Sequence, residues 1–473
     1  MTRPRTRPRS GPSARKRCSI LALAAVLSAS FTSCKIGETL KPEELRAQLP
    51  TAPSFGTGSP EAVQSGWLAS FNDDHLPDLV IEALANNANL QASAARVEAA
   101  AGHARQAGAL LSPTVAVGAG AYAGNDAGGG NRGGAALQVS WEADIWGRLG
   151  SQASAAQSTY LAVELTYAYA RQSLAAQVAR GWFFCIETRE QKRIAQEAVE
   201  LYEQTKTIVD VMFTEGAIAK DDVHLVAADL ASAREALREA TGADIAAQRA
   251  LEVLLGRYPS SELEVMGAFS ELATTVPAGL PSELLERRPD MVAAERRVAA
   301  AFSATSSAQA ARLPRIAITA TGGAASSDFQ SFGSPADAFW NLGANMLAPL
   351  FDGGYLESEV DIASAEQKEA VAEYRAAGLQ AFADVENALT NDGLLKDRES
   401  FLVEALAENT KAWELSQAKF TAGEIDLLSV LQMQRRVLNA RVALMNIRGQ
   451  RRAQRVDLHL SLGGNFELES SGS

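Results

Sequence analysis

A long segment of this chain occurs twice. Shifted by 207 residues, Phe213-Thr214-Glu215-Gly216-Ala217-Ile218 falls on Phe420-Thr421-Ala422-Gly423-Glu424-Ile425. Ala233-Arg234 falls on Ala440-Arg441 and Leu255-Gly256 on Leu462-Gly463. Going backwards, Val178 meets Val385, Tyr167 meets Tyr374 and Gly147 meets Gly354. A repeat of this length argues for two copies of one large motif rather than a stacked array of short units. Two such copies suit a symmetric object, of the kind a ring or pore requires.

Each copy carries the same order: helix, two strands, two very long helices. In the first, Leu76 to Leu111 has a helical pattern that Pro113 ends. Thr114 to Asn125 alternates, with Val115 and Val117 on one face. A glycine-rich loop, Asn125 to Gly134, leads to a second strand, Ala135 to Ile145. There Leu137, Val139 and Trp141 share one face and Gln138, Ser140 and Glu142 the other. In the second copy Pro289 to Arg312 is helical and Pro314 stops it. Arg315 to Ala325 alternates through Ile316, Ile318 and Ala320; a polar loop, Ser326 to Ala338, follows; and Phe339 to Phe351 carries Trp340, Leu342, Ala344 and Met346. Strands of about ten residues fit the wall of a transmembrane β-barrel.

Leu149 to Phe213 and Leu356 to Phe420 contain no proline. Continuous helix over either stretch would measure about 100 Å at 1.5 Å per residue. After Gly216 and Gly423 the chain turns, and helices return over Asp221–Leu255 and Ile425–Leu462. Helices this long are a coiled coil, a tube wall or a spacer. The expected fold class is mainly α with a transmembrane β-barrel contribution: a duplicated helix, β-hairpin and long α-hairpin. Four strands alone would leave open edges, which lipid does not tolerate, and the smallest barrels have about eight strands. Several copies must therefore join.

The N-terminus reads as an export signal. Seven arginines and lysines up to Arg17 precede an apolar run from Ile20 to about Phe31, too short to span a bilayer. Phe31-Thr32-Ser33-Cys34 resembles a bacterial lipobox, which makes Cys34 the lipidation site; a plain cleaved signal with an incidental cysteine is the alternative. Lys35, which is not the aspartate of inner-membrane retention, points to the outer membrane. The resulting organisation is a signal over 1–33, an extended lipid-anchored segment over 34–66, a first repeat over 67–280, a second over 281–464 and a short tail, 465–473.

Composition is 47% hydrophobic and 21% charged, which fits neither a disordered chain nor one buried throughout in membrane. Loss of the seven signal cations lowers the formal charge from −12 to −19, which disfavours nucleic acid as a partner. Cys185, in the apolar run Trp182-Phe183-Phe184-Cys185-Ile186, reads as a buried structural thiol. His75, His103, His224 and His459 lack metal-ligand spacing, no Ser/His/Asp arrangement presents itself, and Gly128 to Gly134 lacks the lysine of a phosphate loop. Neither an enzyme nor a metal or cofactor site is expected. Arg448, Arg451, Arg452 and Arg455 are spaced for a solvated helix face.

Several motifs, in order and inside this duplicated frame, resemble the outer-membrane efflux channels of the TolC/OprM type, lipoprotein branch. They are Trp67-Leu68-Ala69-Ser70-Phe71 and Trp141-Glu142-Ala143-Asp144-Ile145-Trp146-Gly147-Arg148-Leu149. In the second copy they are Glu286-Arg287-Arg288-Pro289-Asp290, Pro349-Leu350-Phe351-Asp352-Gly353-Gly354 and Lys419-Phe420-Thr421-Ala422-Gly423. The resemblance implies a homotrimer whose strands form one barrel in the outer membrane, with a helical tunnel in the periplasm. It implies a periplasmic adaptor and an inner-membrane transporter, of the resistance-nodulation-division type, as partners, and passive export of small molecules. A lipid-anchored periplasmic coiled-coil scaffold without a pore is the alternative.

The same resemblance implies two sites. Adaptor docking falls on the hairpin tips: Phe213, Thr214, Gly216 and Ile218, with Phe420, Thr421, Gly423 and Ile425. A periplasmic gate falls on Asp221, Asp222, Ser429 and Gln432. Family members often carry acidic rings where Ser429 and Gln432 stand. The aromatic and basic partners usual for Asp222 correspond to Phe420 and Ile425, which supply neither a hydroxyl nor a charge. The expected gate is therefore helix packing with a weak polar latch. Asp221 and Asp222 also suit simple capping of the returning helix, which is compatible with gating.

Overall fold

The computed structural model describes residues 41–467, apart from 51, 53, 57, 60, 64, 123–131, 266, 273–275 and 327–337. The signal, Cys34 and most of both hairpin loops lie outside the described residues. Two compact units emerge, each built from several stretches of chain.

The first unit takes in residues 102–159 and 298–369. Its sheet has four antiparallel strands in chain order: β1 (Thr114–Tyr122), β2 (Arg132–Ala143), β3 (Arg315–Ser326) and β4 (Ala338–Leu347). β2 and β3, from different repeats, pair directly, so the two hairpins form one meander. Gly323 permits this contact: a Cβ there would lie 2.3 Å from the Ala135 carbonyl oxygen. β4 stops at Leu347, short of the expected Phe351. Pro349 just beyond has no N–H to give a ladder.

The second unit, residues 41–101, 160–297 and 370–473, is helical. Among the described residues the helices are α1 (Pro42–Arg46), α2 (Leu76–Asn86), α3 (Ala88–Ala109), α4 (Arg148–Thr214), α5 (Lys220–Leu254), α6 (Pro281–Arg287), α7 (Pro289–Ala311), α8 (Tyr355–Thr421) and α9 (Leu427–Ser461). A 3-10 turn covers Trp67–Phe71. α4 and α8 each have 67 residues and begin 207 apart; α5 and α9 each have 35 and keep the same offset. The duplication in sequence is thus a duplication in structure.

The long helices are framed by matching devices. Asp144 accepts from the backbone N–H groups of Leu149 and Gly150 at 3.0 and 2.7 Å, and Asp352 from those of Gly354 and Leu356 at 3.0 and 2.9 Å. A carboxylate here satisfies free N–H groups and faces the positive end of the helix dipole. This accounts for an Asp shortly before the glycine of each strand-to-helix turn, Asp144 before Gly147 and Asp352 before Gly354. At the far ends Gly216 (φ +71°) and Gly423 (φ +74°) take the left-handed conformation that L-residues with a Cβ avoid. Ala217 and Glu424 then donate back to the carbonyls of Met212 and Lys419 at 2.8 and 2.9 Å, closing both ends alike.

The helical core centres on α4. Ala175, Ala179, Trp182, Cys185 and Ile186 are buried against Phe71, Leu76, Leu251, Leu255 and Val456. Alanines on this stripe let neighbouring helices approach, while Trp182 fills the remaining space and donates to Asp73 at 2.7 Å. Burial pushes the Cys185 thiol up to about 12, helped by the charges of Asp244 and Glu252. The thiol is an inert packing group.

Three expectations need correction. The helix read over Leu76–Leu111 is two helices. Asn87 breaks it by donating to the Leu254 carbonyl at 2.9 Å and capping Leu90 N–H at 3.1 Å. Its counterpart in the second repeat, Arg288, makes the equivalent break between α6 and α7. The stretch after Lys41, expected to be extended, contains α1 and packs against other parts of the helical unit. Leu45, Leu49 and Phe55 are buried, Arg46 pairs with Glu286 and Glu295, and Leu49 occupies the space at Gly378. Finally, the Arg448–Arg455 cluster is not solvated. Arg448 and Arg451 share Glu399, Arg455 forks onto Asp392, and Arg452 lies 4.1 Å over the Phe269 ring. Burial lowers the pKa of Arg452 to about 10, against the opposing pull of Glu399.

Candidate functional site

Along the observed register the sheet largely separates its side chains, with Phe339 and Leu347, towards the two ends of β4, as large apolar residues on the otherwise polar or small face. Val115 lies opposite Val139 and Val117 opposite Leu137. Val139 in turn meets Ala320, and Trp141 meets Ile318. Ile316 faces Met346 and Ala320 faces Leu342. All of these stand on one face. On the other, Gln138 faces Thr321, Ser140 faces Thr319, and Thr321 faces Asn341. Alternation within one strand is a sequence property; its agreement across four strands depends on register, because a one-residue slip would invert a strand.

The apolar face is uncovered in the single chain. Val117, Trp340, Leu342 and Met346 are 77%, 82%, 70% and 71% exposed. A contiguous apolar surface of this kind marks a protein or membrane contact. Among the described residues no helix is long and apolar enough to cross a membrane. The strands, with 9, 12, 12 and 10 residues, have the length a tilted transmembrane strand needs, about 9 to 11. One face thus suits lipid and the other water. β1 and β4 end the strand order, and each has a single neighbour.

The hairpin tips lie in the helical unit. Phe213, Thr214 and Gly216 are exposed, as are Thr421 and Gly423. Both threonines turn their hydroxyls back to their own helix, Thr214 to the Asp210 carbonyl at 2.8 Å and Thr421 to that of Gln417 at 2.9 Å. The aromatic pair does not behave alike. Phe213 is 43% exposed, whereas Phe420 packs with Ile218 against a core of Val209, Val226, Leu427 and Leu431. The structure therefore brings Ile218 and Phe420, one from each repeat, into one cluster and leaves Phe213 outward. Ile425 is half-buried just before α9.

Of the four residues expected at the gate, Asp221, Asp222 and Ser429 fall in the first turns of α5 and α9, and Gln432 in the second turn of α9. Asp222 is half-buried and accepts from the Ala219 N–H at 3.3 Å; Asp221 is exposed. In the second repeat the roles reverse. Asp426 occupies the capping position and accepts from the Ser429 N–H at 2.9 Å. These bonds with Ser429 hold the Asp426 carboxyl below the usual range. Gln432 is exposed. Asp222 and Asp426 are alternative solutions to one problem, free N–H groups at a helix start. Sequence reasoning missed Asp426, although an Asp followed three residues later by Ser at a helix start is a legible capping signal.

It also missed a cross-repeat tie. Arg435 on α9 donates to Asp229 on α5 at 2.8 Å. Lower on the hairpins Arg441 reaches Glu197, which also pairs with Arg193, and Arg234 reaches Glu203 at 2.7 Å. The near-equivalence of Asp229 and Arg435 under the 207-residue shift was the available signal.

A duplicated pair of α-hairpins, joined to an antiparallel meander that is apolar on one face and polar on the other, defines a channel-forming class of outer-membrane protein. The comparisons agree. The family described as outer membrane efflux protein matches residues 79–257 and 280–464, and the chain belongs to that family. It is 33% identical over 425 residues to the pyoverdine export outer membrane protein OpmQ of Pseudomonas aeruginosa, covering 86% of this chain and 88% of that one. It is 27% identical over 462 residues to the cation efflux system protein CusC of Escherichia coli, covering 95% and 99%. A crystal structure of CusC superposes with a TM-score of 0.82 at 26% identity, covering 91% of this chain and 99% of that one. The protein is an outer-membrane efflux channel with its helical tunnel in the periplasm, and it acts passively rather than as an enzyme.

Proposed function

We propose that three copies of this chain form the exit duct of a tripartite pump. The observation that carries the reading is the sheet: apolar throughout on one face, and open at β1 and β4. Unpaired strand edges are costly in lipid, and joining copies edge to edge removes them. Three copies supply twelve strands in one closed barrel. Acylation of Cys34, with the packed segment after Lys41, ties each copy to the outer membrane.

The hairpin tips dock a periplasmic adaptor through Phe213, Thr214, Gly216 and Ile218 and through Phe420, Thr421, Gly423 and Ile425. Phe213 is the exposed aromatic anchor of that set. An inner-membrane transporter of the resistance-nodulation-division type supplies energy and selects cargo. The cargo belongs to the classes named for OpmQ and CusC, a siderophore or a metal cation, or to other small toxic compounds. Closure near the tips rests on helix packing around Phe420 and Ile218, with Asp221, Asp222, Ser429 and Gln432 at the mouth and the Arg435–Asp229 tie as the polar latch.

Planar-bilayer recording of the purified protein should show discrete conductance steps. An intact trimer that stays silent would overturn the duct. Gly423→Pro should abolish resistance in cells while leaving that conductance intact, since the change is confined to a tip. Full resistance in this variant would remove the docking assignment.

A further inference from the structure

The helix break between α2 and α3 recurs between α6 and α7, but the packing beside it differs. In the first repeat Asn87 donates to the Leu254 carbonyl at 2.9 Å. In the second Arg288 donates to the Ser461 carbonyl at 3.2 Å, and Leu254 and Ser461 correspond under the 207-residue shift. Leu251 and Leu254 close on Gly181, where an added Cβ would meet them at 3.3 and 3.8 Å. In the second repeat Ser461 and Ala388 stand at the positions of Leu254 and Gly181, and a cavity of about 250 Å³ opens between α4, α8 and α9. It lies wholly within the helical unit. The fold does not require this cavity, because the first repeat fills the same corner with leucine.

Tyr169, Asp384, Asn387, Asn391, Gln454 and Asp457 make the lining polar. The first repeat has Phe184, Ala247 and Ala250 where Asn391, Gln454 and Asp457 stand. The ions of the cavity are matched inside the chain. Arg288 donates to the Asp290 carboxylate at 3.1 and 2.8 Å and lies 3.6 Å from Asp384. Asp384 also accepts from Gln380 at 2.7 Å, and Asp457 pairs with Arg180. An ionic ligand would have to displace one of these partners and strand a charge. The carboxamides of Asn387 and Asn391 and the Tyr169 hydroxyl, by contrast, make no hydrogen bond to any described residue. Each of these groups can both donate and accept.

Neutral groups of this dual kind match hydroxyls, which also donate and accept. Ala388 and Leu460 add an apolar wall for the C–H face of a ring. The volume falls below the roughly 300–1,000 Å³ of sites for drug-sized molecules, so the cavity suits one small ring and not bulky cargo. Asn387 and Asn391 are exposed in the chain, which gives the cavity a mouth. A hydroxylated ring entering there can take over the hydrogen bonds of the water it displaces, whereas an apolar molecule cannot.

We propose that this cavity binds one neutral sugar ring, free or at the end of a glycan chain, through Asn387, Asn391 and Tyr169. The test uses the full-length protein in a detergent without a sugar headgroup. Glucose, N-acetylglucosamine and chitotriose are the probes, followed by titration calorimetry and saturation-transfer NMR. At least one neutral probe should bind saturably, in the millimolar range. Tighter binding of chitotriose than of N-acetylglucosamine marks a glycan chain as the source, and equal binding marks a free sugar. Asn391→Phe and Ser461→Leu install the residues of the first repeat. Each should weaken binding roughly ten-fold or more, the worth of one or two hydrogen bonds. Circular dichroism and sedimentation check that both variants are folded, and Asn391, being exposed, can be replaced without repacking a core. No saturable binding of any neutral probe, unchanged binding in Asn391→Phe, or tighter binding of glucosamine or glucuronate than of glucose overturns the proposal.

Discussion

Removing Asp392 should destabilise the helical unit far more than removing its partner. Arg455 forks onto Asp392 at 3.0 and 2.9 Å, and the side chains are 2% and 16% exposed. Asp392→Ala leaves a guanidinium enclosed by protein without its carboxylate, at a cost of about 3–5 kcal/mol. That corresponds to a hundred-fold to several-thousand-fold change in the unfolding constant, at about 1.4 kcal/mol per ten-fold. Arg455→Gln removes the buried charge itself, and the carboxylate it strands retains some access to water. Its cost should be roughly 1–3 kcal/mol, that of an unmet polar group. Under the 207-residue shift Asp392 and Arg455 correspond to Cys185 and Gln248, so the first repeat builds the same position without a charge pair. The double variant Asp392→Ala/Arg455→Gln should therefore recover most of the loss of Asp392→Ala alone. Chemical denaturation in detergent reads this as a midpoint shift at unchanged slope. If the two single losses simply add in the double variant, the pair is not coupled and the reasoning fails.

Three further outcomes follow from buried groups and one close approach. Burial raises the Glu187 carboxyl to about 7, against the opposing Gln191 bond, so the folded state favours its protonated form. This stability is complete below the unfolded value near 4.5 and lost as pH rises through 7; melting curves at pH 5 and 7.5 should differ less in Glu187→Gln than in the parent. His459 stacks on Trp67 at 5.6 Å, and burial, with the nearby Arg455 charge, lowers its pKa to about 3. The neutral ring is the folded form, so stability falls as pH drops from about 6.5 towards 3. His459→Phe should keep the stack and flatten that acid limb; an unchanged acid limb would refute it. Gly256 and Gly216 both hold positive φ, but a Cβ at Gly256 would lie 2.7 Å from the Asn86 carbonyl oxygen, while Gly216 has open space. Gly216→Ala should cost only the backbone term, about 1–2 kcal/mol, and Gly256→Ala clearly more by the same denaturation assay.

Much of the fold was legible because its signals are local. Proline and glycine positions punctuate the elements, a two-residue period marks the strands, and identical spacing in two copies makes each reading check the other. Capping acids such as Asp144 and Asp352 are likewise local, since a cap satisfies N–H groups a few residues away. The residues proposed for docking and gating were legible as tip and early-helix positions, but how each one packs within the tip was not. Phe213 and Phe420 are equivalent in sequence but differ in burial, Phe213 exposed and Phe420 partly buried, because Phe420 packs on the cluster formed with the other repeat.

By itself, the sequence determined the duplicated order of elements, the two faces of each strand and the left-handed glycines that end the long helices. These depend on spacing along the chain and on steric limits of single residues. Only the tertiary structure decided which strands adjoin, that Asn87 and Arg288 break helices, and that Arg452 and Arg455 are enclosed rather than solvated. In each case the deciding group comes from far along the chain: the Leu254 carbonyl for Asn87, Ser461 for Arg288, Phe269 for Arg452 and Asp392 for Arg455. A charge spacing on one helix is the same whether water or a distant carboxylate meets it, and only packing determines which one does.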